Sequence, residues 1–470
     1  AQKVLAIAPG NDIALYYQAL IELRDPAGGK MDLVKKNLSL IVTARSRNVQ
    51  YKIVYADALV RVKDLAGAAL QLEDALKVDP FNREARAKLL DVYTNSRKWS
   101  QFEAVAQFAE LNPALNRDPL WYRSHAFALA AQRDFPGAIA KIKDAISLGK
   151  DDPTFPRDYL NILLDSRDYA EITRVTDSLL AGGHNEWWVH HIRGLARVGE
   201  KKKSEALEQF DKAIASADVA KDLEGVHAAL VSIATEVSLD EAIKRVNARP
   251  ATDSRWPLFA VQLNLRMKEW PGAERALAPL LASKDKLSPA DRLTAVHFAA
   301  EVYQALGQVS KARDYYIEWI ALAPNDIPAL NNLACLMAED LKDPKSARQY
   351  SQRAYDLSLQ SGTVDPLIQD TQGWVMVQCG GSIANDGRRL LETMVDANPS
   401  FIDGRYHLGV AYLKAKLPSE AVKQLTLASD ALKEQEKNKV AARPQLKAAI
   451  EENLRKAQEL GGVSAGQGEK

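Results

Sequence analysis

Residues 299–324 read AAEVYQALGQVSKARDYYIEWIALAP, and their spacing predicts two packed helices that reverse direction at Gly307. The second helix carries Ala312, Tyr316 and Trp319, which the +4 and +3 steps place on one face. The same steps recur at Ala68/Leu72/Ala75, Ala138/Ile142/Ala145, Ala206/Phe210/Ala213 and Ala421/Leu425/Ala428. Successive anchoring alanines are 70, 68, 106 and 109 residues apart, which corresponds to two, two, three and three units of 34–37 residues. A fixed period of this size indicates a solenoid of stacked helix pairs.

Weaker copies of the pattern fill the gaps between the clear ones. They lie at Val34/Leu38/Ile41, Ile172/Thr176/Leu179, Ala273/Leu277/Leu280 and Ala347/Ser351/Ala354. Counting them, about twelve helix pairs fit between residues 11 and 433. The sequence therefore predicts an all-α protein built from about twelve pairs.

The regularity of the pattern defines the predicted segments. They are a helix-pair array at 1–217, an irregular repeat or hinge at 218–252, a second array at 253–433, a capping helix at 434–460 and a disordered tail at 461–470. For 218–252, a hinge between two halves and a merely divergent repeat are equally compatible with the sequence.

The beginning of the chain resembles the end of a second helix. Val4 and Pro9 keep the spacing of Ala75 and Pro80. We therefore expect the chain to start within a helix pair and the natural protein to be longer.

The near-equal numbers of basic and acidic residues exclude some classes of binding partner. The chain has 62 basic and 61 acidic residues, a formal net charge of +1. This balance argues against nucleic acid or an anionic membrane as the main partner. The sequence contains no run of 18 uncharged apolar residues, the length needed to span a membrane. We therefore expect no direct membrane insertion. The two cysteines, Cys335 and Cys379, provide neither a disulfide framework nor zinc-ligand spacing.

The joint register of small, aromatic and proline residues resembles the tetratricopeptide repeat (TPR) family. The best copies are Ala299-Ala300, Tyr303, Gly307, Ala312, Tyr316 and Pro324, and also Leu408-Gly409, Tyr412, Ala421 and Leu425. The resemblance covers essentially the whole chain. It implies a right-handed superhelical solenoid in which the first helix of each pair lines a concave groove. The apolar stripe Leu446, Ile450, Leu454 and Leu460 independently predicts the C-terminal capping helix.

A narrower resemblance appears in the last third. Residues 331–334 (NNLA), 370–375 (DTQGWV) and 405–409 (RYHLG) are similar to phrases found in bacterial TPR proteins of cell-envelope and exopolysaccharide-secretion systems. This resemblance implies a bacterial origin and favours the periplasm or cell envelope over the cytoplasm.

If the first helices line a groove, the residues offset from their packing stripe face the partner. In the last four repeats these candidate residues are His297, Glu301, Asn331, Asn332, Asp370, Thr371, Trp374, Tyr406 and His407. Their amide, aromatic and hydroxyl groups suit the binding of an extended peptide or a helix. The alternative, that several of them pack between repeats, remains open. The Lys/Asn/Arg clamp of chaperone-tail receptors is absent, and Glu301 would repel a terminal carboxylate.

Residues 184–191 read HNEWWVHH, which combines three histidines with a glutamate. His190 and His191 cannot share one helical face, and Trp188 fits the large packing position of a first helix. We therefore favour packing over a metal site and predict no metal or cofactor.

No catalytic motif occurs in the sequence, including nucleophile-elbow, zinc-protease, P-loop and dinucleotide-binding patterns. We predict a non-catalytic protein–protein interaction scaffold that binds a protein or peptide. Two alternatives remain, the recruiting domain of a longer enzyme and a self-assembling structural array. The sequence leaves the oligomeric state open.

Overall fold

The computed structural model consists of α-helices. It describes residues 2–8, 10–24, 31–150, 152–250, 253–360, 364–438 and 443–462. These ranges contain 26 α-helices and no β-strand. The predicted all-α repeat fold is confirmed.

The chain forms two compact units, the first of which is Ala1–Lys268. Its helices are α1 (Gln2–Ile7), α2 (Asp12–Arg24), α3 (Met31–Ala44), α4 (Val49–Arg61), α5 (Leu65–Val78), α6 (Arg83–Asn95), α7 (Trp99–Leu111), α8 (Pro119–Ala131), α9 (Phe135–Leu148), α10 (Thr154–Ser166), α11 (Tyr169–Ala181), α12 (Trp187–Gly199), α13 (Lys203–Ala220), α14 (Leu223–Ser232), α15 (Leu239–Asn247) and α16 (Arg255–Arg266). Helices α2–α13 form six successive pairs, and α14 and α15 form a seventh through the turn at Ile233–Val237, which both of them contact.

Unit 2 is Glu269–Lys470. Its helices are α17 (Trp270–Ala282), α18 (Pro289–Ala305), α19 (Val309–Leu322), α20 (Ile327–Glu339), α21 (Pro344–Gln360), α22 (Pro366–Cys379), α23 (Ile383–Ala397), α24 (Ile402–Lys414), α25 (Pro418–Lys437) and α26 (Pro444–Leu460). Helices α18–α25 form four pairs. The twelfth predicted pair would join α16 to α17, which belong to different units.

The repeated alanines lie where the two helices of a pair cross. Ala68, Ala138, Ala206, Ala312 and Ala421 are all fully buried. Small residues on the first helices permit equally close approach. A Cβ atom added at Gly194 would lie 2.5 Å from the Phe210 ring, and one at Gly409 would lie 2.6 Å from Leu425 Cγ. The +4 residues, among them Phe210, Tyr316 and Leu425, are buried in the space between the helices.

The predicted irregular segment, 218–252, contains the end of α13, then α14, a π-helical turn at Ile233–Val237 and α15. The backbone N–H of Ser238 donates to the Ile233 carbonyl over 2.9 Å, which is the i+5 bond of a π-helix. Whether this segment acts as a hinge stays a prediction.

Helix α26 covers the apolar face of the last pair. Ile450 packs with Ile402 and Leu432, and Ala457 packs with Ala421 and Leu425. The helix that covers the last pair therefore spans Pro444–Leu460, whereas residues 434–437 of the predicted capping segment belong to α25. Of the predicted tail, residues 463–470 lie outside the described ranges. Among the described helices, none combines the length and apolar character needed to cross a membrane.

Candidate functional site

The candidate residues lie on the first helices of the four pairs in unit 2, and we call this surface the first-helix face. His297 and Glu301 lie on α18, Asn331 and Asn332 on α20, Asp370, Thr371 and Trp374 on α22, and Tyr406 and His407 on α24. Helix α22 packs against both α20 and α24. The face is therefore continuous across α20, α22 and α24.

Burial divides the candidates into two groups. Asn331, Asp370, Thr371 and Trp374 are buried, at 3%, 3%, 3% and 6% exposure. The other five are partly exposed: His297, Glu301, Asn332, Tyr406 and His407. The buried group shapes the face from below. Of the partly exposed group, His407 exposes only 12% of its side chain, so a partner would reach mainly the other four residues.

His407 lies between two carboxylates. Its Nδ1 atom is 3.0 and 2.9 Å from the two carboxylate oxygens of Asp370, and its Nε2 atom is 3.7 Å from Glu339 Oε1. Burial alone would lower the pKa of His407, but the Asp370 and Glu339 carboxylates outweigh it and raise the pKa to about 10. The imidazole is therefore a cation at neutral pH and both ring nitrogens carry a proton. Nδ1 donates a hydrogen bond to Asp370, and Nε2 faces Glu339 as an ion pair.

An aromatic stack extends from this ion pair. The Trp374 and His407 rings are stacked with centroids 4.3 Å apart, and the Tyr406 ring lies 6.5 Å from that of Trp374. The Lys414 ammonium lies 5.7 Å from the Trp374 ring centroid. Cation–π attraction stabilises this cluster in addition to the burial of the apolar surface of its rings. The His407 side chain is thus fixed by its carboxylates and by the ring below it.

Side-chain bonds also link α20 to α22. Cys335 Sγ lies 3.3 Å from Thr371 Oγ1, and Thr371 Oγ1 donates to the Leu367 carbonyl over 3.0 Å. Burial raises the pKa of the Cys335 thiol to about 12, so this cysteine is protonated at neutral pH. Consecutive first helices are thereby cross-linked by polar contacts in the interior of the face.

His297 and Glu301 belong to a separate group on α18. The His297 ring stacks on Trp319 with centroids 4.0 Å apart, and its Nε2 atom is 3.1 Å from Glu301 Oε1. Within the described ranges, no hydrogen bond or ring contact joins His297 to the cluster around His407. The Glu301 carboxylate is 43% exposed and remains available.

Glu339, the last residue of α20, and Asp340, which follows it, are not among the residues predicted from the sequence. The Glu339 side chain is 48% exposed, and the nearby His407 lowers the pKa of its carboxyl group. A signal was present, because Glu339 follows Cys335 by four residues and Asn332 by seven, which places it on the same helical face. With Glu301, these residues give the face exposed negative charge.

The histidines of residues 184–191 do not converge. His190 Nε2 is 2.7 Å from Asn185 Oδ1, and His191 Nε2 is 2.8 Å from Ser232 Oγ. Burial lowers the pKa of His191 to about 4, so this ring is neutral. In the part of the chain that the structure describes, no group of three or more His, Cys, Asp or Glu residues forms a candidate metal site.

The fold defines the class, an all-α protein of repeated helix pairs. No protein-family profile and no curated protein matches this chain. Similar solved structures include yeast Tom70, at 12% identity over 97% of both chains with a TM-score of 0.37. They also include YrrB, described as a TPR protein with an unusual peptide-binding site, at 22% identity over 40% of this chain and 92% of that chain (TM-score 0.33). A third is the Cut9–Hcn1 hetero-tetramer, at 13% identity over 97% of this chain and 91% of that chain (TM-score 0.36). Because these TM-scores are low, the class rests on the helix pairs of the chain itself.

Proposed function

We propose that this protein is a non-catalytic TPR-type scaffold that holds an extended peptide or a protein subunit on the first-helix face of unit 2. The observation that carries the proposal is the ion pair between His407 and Asp370, stacked on Trp374 and joining α22 to α24. A face cross-linked in this way is ordered before the partner arrives. Binding then requires little further loss of conformational entropy.

The exposed charges on the face indicate the chemistry of the partner. The charge of His407 is already balanced by Asp370, whereas Glu301 and Glu339 expose 43% and 48% of their side chains. Asp340 adds a third exposed acid. Lys or Arg side chains in the partner would form charge-assisted hydrogen bonds with these carboxylates. We therefore propose a peptide segment that carries basic residues.

The buried candidates have an indirect role in this proposal. Asp370 and Thr371 hold neighbouring helices, and Trp374 supports the His407 ring. Contact with the partner falls to the partly exposed residues, including Asn332 and Tyr406. Amides and tyrosines are effective at interfaces because they combine adaptable hydrogen bonds with apolar area.

The setting is proposed from the resemblance in the last third of the chain. Phrases such as residues 370–375 resemble those of bacterial envelope TPR proteins, which supports a role in an envelope or secretion assembly. The partner would then be another component of that assembly.

A peptide selection tests the proposal. A random peptide library is selected on the full chain, and recovered peptides are measured against two double variants. E301Q/E339Q removes two carboxylates from the first-helix face, while D314N/D356N removes two exposed carboxylates from second helices. We expect peptides rich in Lys and Arg that bind E301Q/E339Q at least tenfold more weakly and D314N/D356N like the parent. Equal affinity for both variants would contradict the proposal.

A further inference from the structure

Five turns of unit 1 share an unusual backbone conformation. At the junction between the first and second helix of five consecutive pairs, one non-glycine residue has a positive φ: Lys63 (63°), Arg97 (54°), Arg133 (66°), Arg167 (60°) and Lys201 (63°). We call these residues the basic row. All five are exposed.

The positive φ follows from the way in which each first helix ends. The backbone N–H of Arg133 donates to the Ala130 carbonyl over 2.9 Å, and the next N–H, of Asp134, donates to the Leu129 carbonyl over 3.0 Å. The same two bonds occur at Arg167 and Asp168, both at 3.0 Å. This pair of bonds is the Schellman motif, whose left-handed residue is usually glycine.

Glycine would be the least strained choice at these positions, because a Cβ atom disfavours the left-handed conformation. In unit 2 the corresponding turns alternate between glycine and lysine, with Gly307 (71°), Lys342 (56°), Gly380 (74°) and Lys416 (60°) in chain order. In unit 1 the position is instead Lys or Arg five times in succession. The same strained backbone conformation thus recurs at positively charged residues. This recurrence suggests that the positive charge at these positions has a function.

The charged side chains of the basic row have no acidic partner among the described residues. Among the described residues, none of the five forms an ion pair, and the nearest aromatic contact is that of Arg133 over Phe135 at 5.9 Å. Three of the five precede an aspartate, but these carboxylates cap the second helices. Asp64, Asp134 and Asp168 accept backbone N–H bonds of 2.9, 3.1 and 3.1 Å.

The topology places the basic row along one edge of unit 1. Helices in a pair are antiparallel, so every turn from first to second helix lies at the same end of the helices. The first helices of consecutive pairs contact one another, from α4 and α6 to α10 and α12. Packed helices are about 10 Å apart, and an extended chain advances about 3.3 Å per residue. One charge of the row therefore matches every third residue of a polypeptide that runs along the edge.

We propose that the basic row binds an extended acidic polypeptide with a carboxylate at about every third residue. A denser polyanion fits less well. Duplex DNA carries one charge per about 1.7 Å, far above the density of the row, and the capping aspartates would repel it. The basic row shares no residue with the first-helix face of unit 2, and the proposal stands independently of the one made for that face.

The test uses the full chain and a synthetic peptide of five Glu-Gly-Ser repeats, with affinity measured by fluorescence anisotropy at low and at physiological salt. In R97G/R133G/R167G we expect at least tenfold weaker binding. Its melting temperature should equal or exceed that of the parent, because glycine relieves the left-handed strain. Lost binding could then not be attributed to unfolding.

A matched control removes three exposed basic residues away from the row. K36S/R117S/K150S carries the same change in net charge, and we expect it to bind within twofold of the parent. The proposal is overturned by an equal loss in both triple variants, or by undetectable peptide binding to the parent at low salt. It is also overturned if a heparin fragment or duplex DNA of equal charge binds more tightly than the peptide.

Discussion

His407 is cationic because a carboxylate faces each of its ring nitrogens. Asp370 is 2.9 Å from one nitrogen and Glu339 is 3.7 Å from the other. A buried cation is costly unless it is paired and hydrogen-bonded, and this one is both. At the scale of single residues, the structure therefore depends on charge pairs that join adjacent repeats.

The raised pKa of His407 predicts a pH-dependent contribution to stability. Its pKa is about 10 in the folded chain against an ordinary value of 6.5. The protonated ring therefore stabilises the fold fully below pH 6.5, and the contribution declines as the pH rises through 10. Chemical unfolding of the parent and H407Q should differ by about 2 kcal/mol at pH 6. The difference should shrink steadily between pH 6.5 and 10, and a pH-independent difference would show that His407 is neutral.

The sequence predicts some residues of the first-helix face, but not the contacts between them. Asn332, Tyr406 and Glu301 were placed on the face by helical spacing, and the structure leaves them partly exposed. The bond from His407 to Asp370 spans 37 residues. Its register depends on the lengths of the intervening turns, which differ between repeats, so the sequence does not show which side chains meet.

At the scale of the helix pair, the repeated alanines explain why the elements pack at all. Ala312 and Ala421 are fully buried where two helices cross, and Tyr316 and Leu425 occupy the neighbouring space. This part of the fold could be predicted, because a close crossing requires a small residue at a fixed position in each period. The π-helical turn at Ile233–Val237 could not be predicted in this way, because no repeated sequence pattern marks it.

Overpacking a crossing should destabilise the protein. Ala312→Leu and Ala421→Leu should each reduce the free energy of unfolding by about 1–3 kcal/mol, because the added side chain has no space. Ala305→Leu, at an exposed position of α18, is the control and should change little. The measurement is the melting temperature of each of the three variants, compared with that of the parent. Parent-like melting of both buried variants would mean that the register of the repeat is misassigned.

At the scale of the whole molecule, helices pack mainly on their neighbours in sequence. Such arrays are stabilised by the sum of local interfaces, with no single central core. The chain accordingly resolves into two compact units, each with its own succession of pairs. The predicted boundary segment at 218–252 lies within the first unit, and its role as a hinge remains a prediction.

Local packing predicts that damage remains local. In Ala421→Leu, hydrogen exchange should accelerate in α24, α25 and α26, which surround the altered crossing. Amides of α4–α13 in unit 1 should exchange at parental rates. Uniform acceleration throughout the chain would instead indicate one cooperative unit.

We propose that the first helices of unit 2 hold a basic peptide. The most direct measurement is hydrogen exchange of the full chain with and without a peptide selected on it. We expect slower exchange in α18, α20, α22 and α24, and unchanged exchange in the second helices α19, α21, α23 and α25. Protection confined to the second helices or to unit 1 would contradict it.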